Sequence, residues 1–324
     1  MSTQAELWSE NRVENHYEVL GGMLRDELIQ EKTCRIDASY LGHVINQWWQ
    51  NRSKWGANDI AKSQLRLLIL KTLQPDHLSA LRSVGSIQTR LAAVFLERTF
   101  SLPSKELALL VHEVLSDIVG IIDLKYPYED HKELFPQNSD TLASDWGRGL
   151  GVIRPHSDDL YESRAITIMS LTVYKDTSST PTWFWFPYDL TSCLTDEELG
   201  YLALSHATFL SGANVKGKTI SVVKPVLRRD SKEGIGLRLD FRIDDEVGER
   251  MRLTDPRAQQ IFDKIRANLK SLRPICSNPS SGSFSVLANH KVLHGRSALD
   301  SACLTEGESS RILFRSKGIQ EKGL

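Results

Sequence analysis

Two residues in the middle of the chain have the types and the spacing of metal ligands. His156 and Asp158 are separated by one residue in the segment GVIRPHSDDLYE. If this segment ends a strand, both side chains point to the same side and can share one ion. An imidazole and a carboxylate together suit a divalent first-row metal. The same pair also occurs by chance in exposed polar loops, so it indicates a site only if a further ligand exists.

A histidine far downstream could be that ligand. His294 stands in the segment ANHKVLHGR, after a short apolar run. Two histidines and one carboxylate on one face of a metal leave three coordination positions open, which is typical of non-haem iron sites. His290 would share the face of His294 on a helix, but the surrounding residues are typical of strand and turn. We therefore expect His294, and not His290, to complete the set.

Two arginines near the end of the chain indicate an anionic ligand beside such a metal. Arg311 and Arg315 lie in the run RILFR, which alternates as a strand does. A guanidinium pairs with a carboxylate through two parallel hydrogen bonds, so Arg311 could bind the distal carboxylate of a keto acid that chelates the metal. Arg315 would then be available for a second carboxylate. The alternative is that both arginines pair with acidic residues within the sheet.

Helices are predicted in the first third of the chain and at two later places. Apolar residues recur at intervals of three and four in Ala57–Leu73 and in Ser104–Val119. Ser101 and Pro103 are interpreted as the cap and first turn of the second helix. The later helices are Asp196–Leu204, with a capping box of Thr195 and Glu198, and a helix that begins at Asp255 and Pro256 and continues towards Leu272.

The remaining two thirds of the chain are rich in short β-branched and aromatic runs. Many short strands between polar turns favour a double-sheet jelly roll over a parallel α/β sheet, which needs a helix after nearly every strand. We predict one α+β domain, with a mainly helical part in residues 1–125 and a double-stranded β-helix (jelly-roll) core with helical insertions in residues 126–324. The predicted strands are Ala165–Tyr174, Trp183–Tyr188, Thr219–Leu227, Leu237–Ile243, Ser283–Ala288 and Arg311–Ser316.

Composition narrows the class of partner. The 324 residues include 40 basic and 41 acidic side chains, for a net charge of −1, so no basic field indicates nucleic acid or anionic lipid. The N-terminal residues lack the order of a signal peptide, and no run approaches eighteen apolar residues, so we expect a cytoplasmic protein. The four cysteines have no CxxC pair, which argues against a zinc site or a disulfide framework. A small molecule is the expected partner, and the oligomeric state is left open.

The order of these motifs resembles a known family. His156-Ser157-Asp158 is followed far downstream by NHKVLHGR at residues 289–296 and by RILFR at residues 311–315. This series is similar to the clavaminate synthase-like branch of the taurine dioxygenase superfamily, which contains iron(II)- and 2-oxoglutarate-dependent oxygenases and, among them, amino-acid hydroxylases. The resemblance covers residues 151–317, roughly half of the chain.

The resemblance implies a role for each motif residue. An enzyme of this kind uses 2-oxoglutarate and O2 as cosubstrates, hydroxylates a C–H bond of its substrate, and releases succinate and CO2. The implied residues are His156, Asp158 and His294 for iron(II), Arg311 and Thr182, with Thr180 behind it, for 2-oxoglutarate, and Arg315 for the α-carboxylate of an amino acid.

Asp158 also bears on the reaction and the substrate. Related halogenases have Gly or Ala at this position, so a carboxylate here predicts hydroxylation, although desaturation or cyclisation uses the same ligands. The closest amino-acid hydroxylases usually carry HxE where this chain carries HxD, which leaves the substrate open.

Two further residues are candidates for substrate contacts. Asp240, in the run LRLDFRIDD, could meet the ammonium of lysine or the guanidinium of arginine, and this favours a basic amino acid in specialised metabolism. The alternative is an exposed strand of alternating charge. Trp183 could line the substrate pocket, and the alternative for it is packing within the sheet.

Two other classes of protein remain as alternatives. The first is a cupin-like protein that binds a metal or a small molecule without turnover, for which Arg311 would have no use. The second is a metal-independent interaction protein that would use the helical first third as its surface.

Overall fold

The structure is a computed structural model of the chain. It describes residues 4–51, 58–97, 102–124, 133–134, 149–163, 166–178, 180–212, 219–245, 247–277, 280–299, 304–305, 308–309 and 311–321. Side chains are described throughout these ranges except at residues 4–15, 58, 133, 304–305 and 308–309.

The described ranges contain helices, most of them in the first third of the chain, and strands, most of them in the rest. The helices are α1 (Gln4–Leu28), α2 (Ser39–Gln50), α3 (Asn58–Thr72), α4 (Pro75–Arg82), α5 (Lys105–Val119), α6 (Pro187–Leu190), α7 (Asp196–Leu204) and α8 (Pro256–Asn268), which a 3₁₀ turn at Leu269–Ser271 follows. The strands are β1 (Lys32–Asp37), β2 (Leu91–Glu97), β3 (Ile121–Asp123), β4 (Glu133–Leu134), β5 (Ile153–His156), β6 (Ile168–Asp176), β7 (Thr182–Trp185), β8 (His206–Leu210), β9 (Ser221–Pro225), β10 (Leu227–Asp230), β11 (Gly234–Leu237), β12 (Ile243–Asp244), β13 (Gly248–Glu249), β14 (Met251–Leu253), β15 (Ile275–Cys276), β16 (Phe284–Ala288), β17 (Leu293–Arg296), β18 (Leu304–Thr305), β19 (Glu308–Ser309) and β20 (Arg311–Gln320).

Two sheets of this α+β fold face each other. The larger sheet has the order β1-β2-β16-β6-β20-β3, with β4 also beside β20, and the smaller has the order β15-β7-β17-β5. Phe95, Met169 and Leu171 of the larger sheet and Phe184 of the smaller one belong to a single buried apolar cluster. The faces that carry these side chains are therefore the inner faces, and a polar site between the sheets is shielded from solvent.

Helices cover both outer faces. Helices α2 to α5 pack on the larger sheet, where Leu41, Leu65 and Val111 share a cluster with Val94 and Val286. Helices α1, α7 and α8 belong to a second cluster, which includes Leu24, Leu199 and Phe262 from the helices and Leu293 of the smaller sheet. Burial of these apolar faces holds the two sheets in place. Within the described ranges, no helix is long and apolar enough to cross a membrane.

The first third is mainly helical, as predicted, but it also contributes to the larger sheet. Strand β1 pairs in parallel with β2, and β2 pairs antiparallel with β16. Five consecutive residues of β2 are buried, so both of its faces are covered. A strand of this kind is a continuous apolar run without alternation, and its sequence resembles that of a buried helix. Strand β2 was not predicted for this reason, and β1 was not predicted because its mostly exposed or half-buried residues form no apolar run.

The helix predictions are confirmed, with one corrected boundary. Helix α7 has its capping box, and α8 begins after the Asp255 cap, although its regular part ends at Asn268. Helix α5 is capped by Ser104, whose Oγ accepts a hydrogen bond from the Leu107 amide at 3.2 Å. The interpretation of Pro103 as the first turn was wrong, because the helix begins at Lys105; Ser101 lies outside the described residues.

Three of the strand predictions were wrong in extent. The strand expected at Trp183–Tyr188 ends at Trp185, because Pro187 begins α6. The run Leu237–Ile243 is not one strand, since β11 ends at Leu237 and the chain then turns to pair with residues near His156. The run Thr219–Leu227 divides into β9 and β10, and the remaining three predicted strands correspond to β6, β16 and β20 with shifted ends.

A buried ion pair connects the start of β1 to the turn between β16 and β17. Lys291 Nζ lies 2.6 Å from Glu31 Oε1, and the two side chains are 1% and 3% exposed. We expect Lys291→Met to lower the free energy of unfolding by about 3–5 kcal/mol, because it leaves a carboxylate buried without its partner. Urea denaturation should show that adding Glu31→Leu restores most of the loss.

The exposed pair of Lys264 and Glu198 is the control for this prediction. Lys264→Met should cost less than about 1 kcal/mol, since solvent screens that pair. A Lys291→Met cost as small as the Lys264→Met cost would contradict the prediction.

Candidate metal centre

The predicted ligands His156 and His294 lie in one row across the smaller sheet. His294 of β17 is opposite Phe184 of β7 on one side and opposite His156 of β5 on the other. Asp240 continues the row through an isolated bridge to His156. Residues opposite each other in an antiparallel pair point to the same face, so all four side chains lie on the inner face.

Asp158 joins the two histidines at the end of β5. Its Oδ1 is 3.4 Å from His156 Nε2 and 3.9 Å from His294 Nε2, and the two imidazole centroids are 4.2 Å apart. One ligand atom from each residue lies within 4.8 Å of the others, and all three residues are buried. The structure therefore brings together the three residues that the sequence indicated as ligands of one ion.

The hydrogen bonds and charges of these residues fit a divalent cation. His156 Nδ1 donates to the Arg154 carbonyl at 2.9 Å, so Nε2 presents its lone pair to the site. Burial, and after it the neighbouring ring of His156, hold the pKa of His294 well below its usual value, so this imidazole is neutral. Burial alone would raise the pKa of Asp158, but Arg315, His156 and His294 together hold it well below its usual range. An ionised carboxylate and neutral imidazoles are the forms that bind metal.

Asn289 fixes the backbone at Asp158. Its side-chain oxygen accepts from the Asp158 amide at 2.8 Å, and its amide group donates to the carbonyls of Asp158 at 3.0 Å and Ile166 at 3.2 Å. The next residue, Asp159, has a φ of 52°, and its carboxylate accepts from Lys317. The turn is thus held by Asn289, which follows β16, and by Lys317 of β20. The sequence predicted no role for Asn289.

We expect Asn289→Ala to weaken iron(II) binding about 10- to 100-fold, the range found when a group that positions a metal ligand is removed. The reason is that Asp158 loses both backbone hydrogen bonds that set its orientation. Competition with a metal-binding dye under anaerobic conditions measures the change. Asn51→Ala, at an exposed asparagine on the end of α2, is the control. Equal iron affinity in the two variants would contradict the prediction.

The larger sheet places cationic side chains opposite the triad. Arg315 and Lys317 of β20 are opposite Leu171 and Met169 of β6, whose side chains belong to the inner apolar cluster. Arg315 Nη1 lies 3.4 Å from Asp158 Oδ2. The second predicted arginine, Arg315, is therefore at the candidate metal centre.

Arg311 lies further along the same face and contacts the predicted threonines. Its Nη1 donates to the Thr180 carbonyl and is 2.9 Å from Asp176 Oδ2, while Nη2 is 3.4 Å from Thr182 Oγ1. Thr182 points to the same face of the smaller sheet as His294, two residues from Phe184. Arg311 thus pairs with an acidic residue of the sheet, as one interpretation expected, and also lies beside Thr182, as the other did.

The structure does not bring Trp183 to the triad. Trp183 is opposite Gly295, and adjacent strand residues point to opposite faces, so its indole lies on the outer face. There it stacks on Trp185, with ring centroids 6.4 Å apart and planes at 16°. The neighbouring residue Phe184 points to the inner face instead, so the interpretation of Trp183 as a pocket residue was wrong.

Asp240 does lie at the site, but its carboxylate is already engaged. Arg242 donates to it through Nε, at 3.0 Å to Oδ1, and through Nη2, at 2.7 Å to Oδ2. Asp240 is 3% exposed and Arg242 is 8% exposed, so the expectation of an exposed strand of alternating charge was wrong. Sequence reasoning did not identify Arg242, which forms this pair two residues along a turn.

His290 is not a member of the cluster. It is buried, and its Nε2 is 3.7 Å from Glu233 Oε2. The candidate ligand set found within those residues is His156, Asp158 and His294, without His290.

Comparisons with known proteins identify the fold. No protein-family model and no curated sequence matches the chain. The crystal structure of the non-heme iron oxygenase OrfP in complex with Fe and alpha-ketoglutaric acid matches 90% of this chain and 95% of its own, with a TM-score of 0.63 and 16% identity. OrfP in complex with Fe, succinate and (3S)-hydroxy-L-Arg gives a TM-score of 0.64 at 14% identity, over 90% and 95% of the two chains.

Asparagine oxygenase is similar to the same extent. Its structure in complex with Fe(II), 2S,3S-3-hydroxyasparagine and succinate covers 89% of this chain and 93% of its own, with a TM-score of 0.66 and 11% identity. The chain thus has the fold of non-haem iron oxygenases, and the resemblance indicated by the sequence motifs is confirmed at the level of the fold.

Proposed function

We propose that this chain, which has the fold of non-haem iron oxygenases, is an iron(II)- and 2-oxoglutarate-dependent oxygenase that hydroxylates an unactivated C–H bond of an amino acid or amino-acid derivative. The buried cluster of His156, Asp158 and His294, whose ligand atoms lie within 4.8 Å of one another, carries this proposal. On this proposal the two facing sheets form a double-stranded β-helix around the site.

The residues of the chain divide the binding work. The triad would hold iron(II), which when bound supplies the sites for 2-oxoglutarate and O2 and the oxidising power for hydroxylation, with release of succinate and CO2. Arg311 and Thr182 would bind the distal carboxylate of 2-oxoglutarate through the guanidinium and the hydroxyl that lie together between the sheets. Arg315, beside Asp158, would bind the α-carboxylate of the substrate. The apolar walls around the inner faces would exclude water.

Two features favour this function over its alternatives. A protein that binds metal without turnover has no need for a buried arginine and threonine beside the metal cluster, whereas a keto acid needs both. The carboxylate of Asp158 lies within the cluster, so no ligand position is vacated for a halide. Desaturation and cyclisation use the same ligands and remain the second candidates.

The substrate class rests on the neighbours and on the two carboxylate sites. OrfP is in complex with a hydroxylated arginine, and asparagine oxygenase with a hydroxylated asparagine. Both complexes support a free amino acid as the substrate of this chain. They do not decide whether its side chain ends in a basic group or in a carboxamide. The sequence favoured lysine or arginine through Asp240, in an enzyme of specialised metabolism.

An anaerobic titration tests the cofactor assignment. Iron(II) and 2-oxoglutarate added to the purified protein should give a weak visible charge-transfer band. Admission of air with a panel of amino acids should then release succinate, and mass spectrometry should find one added oxygen atom in the product. Loss of two hydrogens would instead favour desaturation. If no band forms and no succinate is released, the proposed function is wrong.

A further inference from the structure

Arg242 holds a fixed guanidinium at the edge of the metal site. Residues Leu239 to Phe241 pair antiparallel with the end of β5, through the Ser157 amide to the Leu239 carbonyl at 3.1 Å and the Phe241 amide to the Pro155 carbonyl at 2.9 Å. Asp240 therefore points to the same face as His156, and it orients Arg242 through Nε and Nη2. An arginine held at two of its nitrogens presents the third in a defined direction.

The third nitrogen of Arg242 is available to a ligand. Nη1 has no hydrogen-bond acceptor among the described residues. It is also not completely enclosed, so a ligand can reach it. The guanidinium pairs with Asp240, whose backbone forms a bridge with His156, so it lies at the edge of the metal site. A donor that is nine-tenths buried, partly accessible and unpaired needs an acceptor from outside the chain.

The charges around Arg242 oppose a cationic side chain. The carboxylate of Asp240 is already neutralised by Arg242, whose Nη2 lies 2.7 Å from Oδ2. The neighbouring Asp244 is paired with Arg250, at 3.3 Å. An ammonium or a second guanidinium entering here would meet the charge of Arg242, while the carboxylates of Asp240 and Asp244 are already paired.

Arg242 and Arg315 approach the triad from different sheets. Arg315 extends from the larger sheet to Asp158, whereas Arg242 follows the strand segment that extends the smaller sheet beside His156. An amino acid whose α-carboxylate pairs with Arg315 would extend its side chain past the metal towards Arg242. The carbon atoms between its two ends would then lie next to the ligand cluster.

We propose that Arg242 is a specificity-determining residue whose Nη1 binds an acceptor oxygen at the end of the substrate side chain. The substrate class is then an amino acid that ends in a carboxylate or carboxamide, and not a basic one. This inference rests on the proposed function, and it replaces the expectation that Asp240 binds lysine or arginine.

The test compares free amino acids with different side chains as ligands and substrates of the protein loaded with iron(II) and 2-oxoglutarate. Perturbation of the charge-transfer band under anaerobic conditions gives the dissociation constant of each amino acid, and aerobic succinate release gives kcat/KM. Aspartate, asparagine, glutamate, glutamine and citrulline form the acceptor group of the panel, and lysine, ornithine and arginine form the basic group. We expect binding and turnover within the acceptor group, at least about 10-fold better than with any basic member. The best acceptor member distinguishes a carboxylate from a carboxamide pocket.

Two variants assign the effect to Arg242. Arg242→Gln combined with Asp240→Asn removes both charges without leaving a buried ion, and it should weaken binding of the best acceptor amino acid about 10- to 100-fold while the KM for 2-oxoglutarate stays unchanged. Arg242→Lys keeps the positive charge, so it should bind the best acceptor amino acid more tightly than the double variant does and less tightly than the wild type. Arg229→Met, at an exposed arginine of β10, is the control and should change neither value.

Three results would overturn the inference. They are a wild-type preference for lysine, ornithine or arginine, no response to any acceptor amino acid although the band forms, and unchanged binding in the double variant. Absence of the band itself would instead refute the proposed function, so the two failures are distinguishable.

Discussion

We expect His294→Ala to abolish iron(II) binding and turnover. The rate of succinate release should fall at least about 1,000-fold, which corresponds to about 4 kcal/mol of activation free energy. The reason is geometric. His294 is the ligand that β17 supplies to a cluster whose other two members come from β5 and the turn after it. Without it, one imidazole and one carboxylate remain, and these hold a divalent ion far less firmly. Metal analysis after gel filtration and the charge-transfer titration measure the loss directly.

His290→Ala is the matched control, because His290 is also a buried histidine and stands four residues earlier in the same segment. Its ring lies near Glu233 and outside the ligand cluster. This variant should retain iron at the wild-type level. Circular dichroism of both variants separates loss of metal from loss of fold. Iron retained by a folded His294→Ala protein, or lost equally in the two variants, would contradict the assignment of the third ligand.

The part of the site that could be predicted is the part that depends on short-range geometry. One intervening residue between His156 and Asp158 is enough to place two ligands together at a strand end. Adding His294 required the order of motifs along the chain, because the pairing of β5 with β17 brings together residues more than a hundred positions apart. That register is decided by tertiary packing, which local spacing does not encode.

The errors at the site have specific physical causes. The interpretation of Trp183 failed because a strand exposes alternate residues, and the choice between Trp183 and Phe184 depends on a phase that four consecutive aromatic residues do not reveal. Asp240 lies beside His156, but it was treated as unpaired. Its partner, Arg242, is reached through a turn, where spacing by two residues does not imply opposite charges in contact.

The outcomes within the fold follow the same rule. Local signals were sufficient for α7, whose capping box needs four residues, and for α8, whose Asp255 accepts from the Ala258 amide at 2.9 Å. They were insufficient for β2, which is buried on both faces and so lacks the alternation of an ordinary strand. The membership of β1 and β2 in the larger sheet depends on contacts between distant segments, and these are absent from any single window of sequence.

Arg311 and Arg315 should separate the two carboxylate sites. They stand four residues apart on one face of β20, yet Arg311 lies beside Thr182 and Asp176 while Arg315 reaches Asp158. We expect Arg311→Gln to raise the KM for 2-oxoglutarate about 100-fold, because a forked pair with a buried carboxylate contributes several kcal/mol, and to leave the KM for the amino acid within about 3-fold.

Arg315→Gln should have the reverse effect, raising the KM for the amino acid and changing that for 2-oxoglutarate little. Because Arg311→Gln also leaves Asp176 buried without its ion-pair partner, Arg311→Gln with Asp176→Asn is measured beside it to keep the protein folded. Initial rates with each substrate varied at saturation of the other give both constants. If the two variants raise the same KM, both arginines bind one carboxylate. If Arg311→Gln leaves the KM for 2-oxoglutarate unchanged, Arg311 only stabilises the sheet through its ion pair with Asp176.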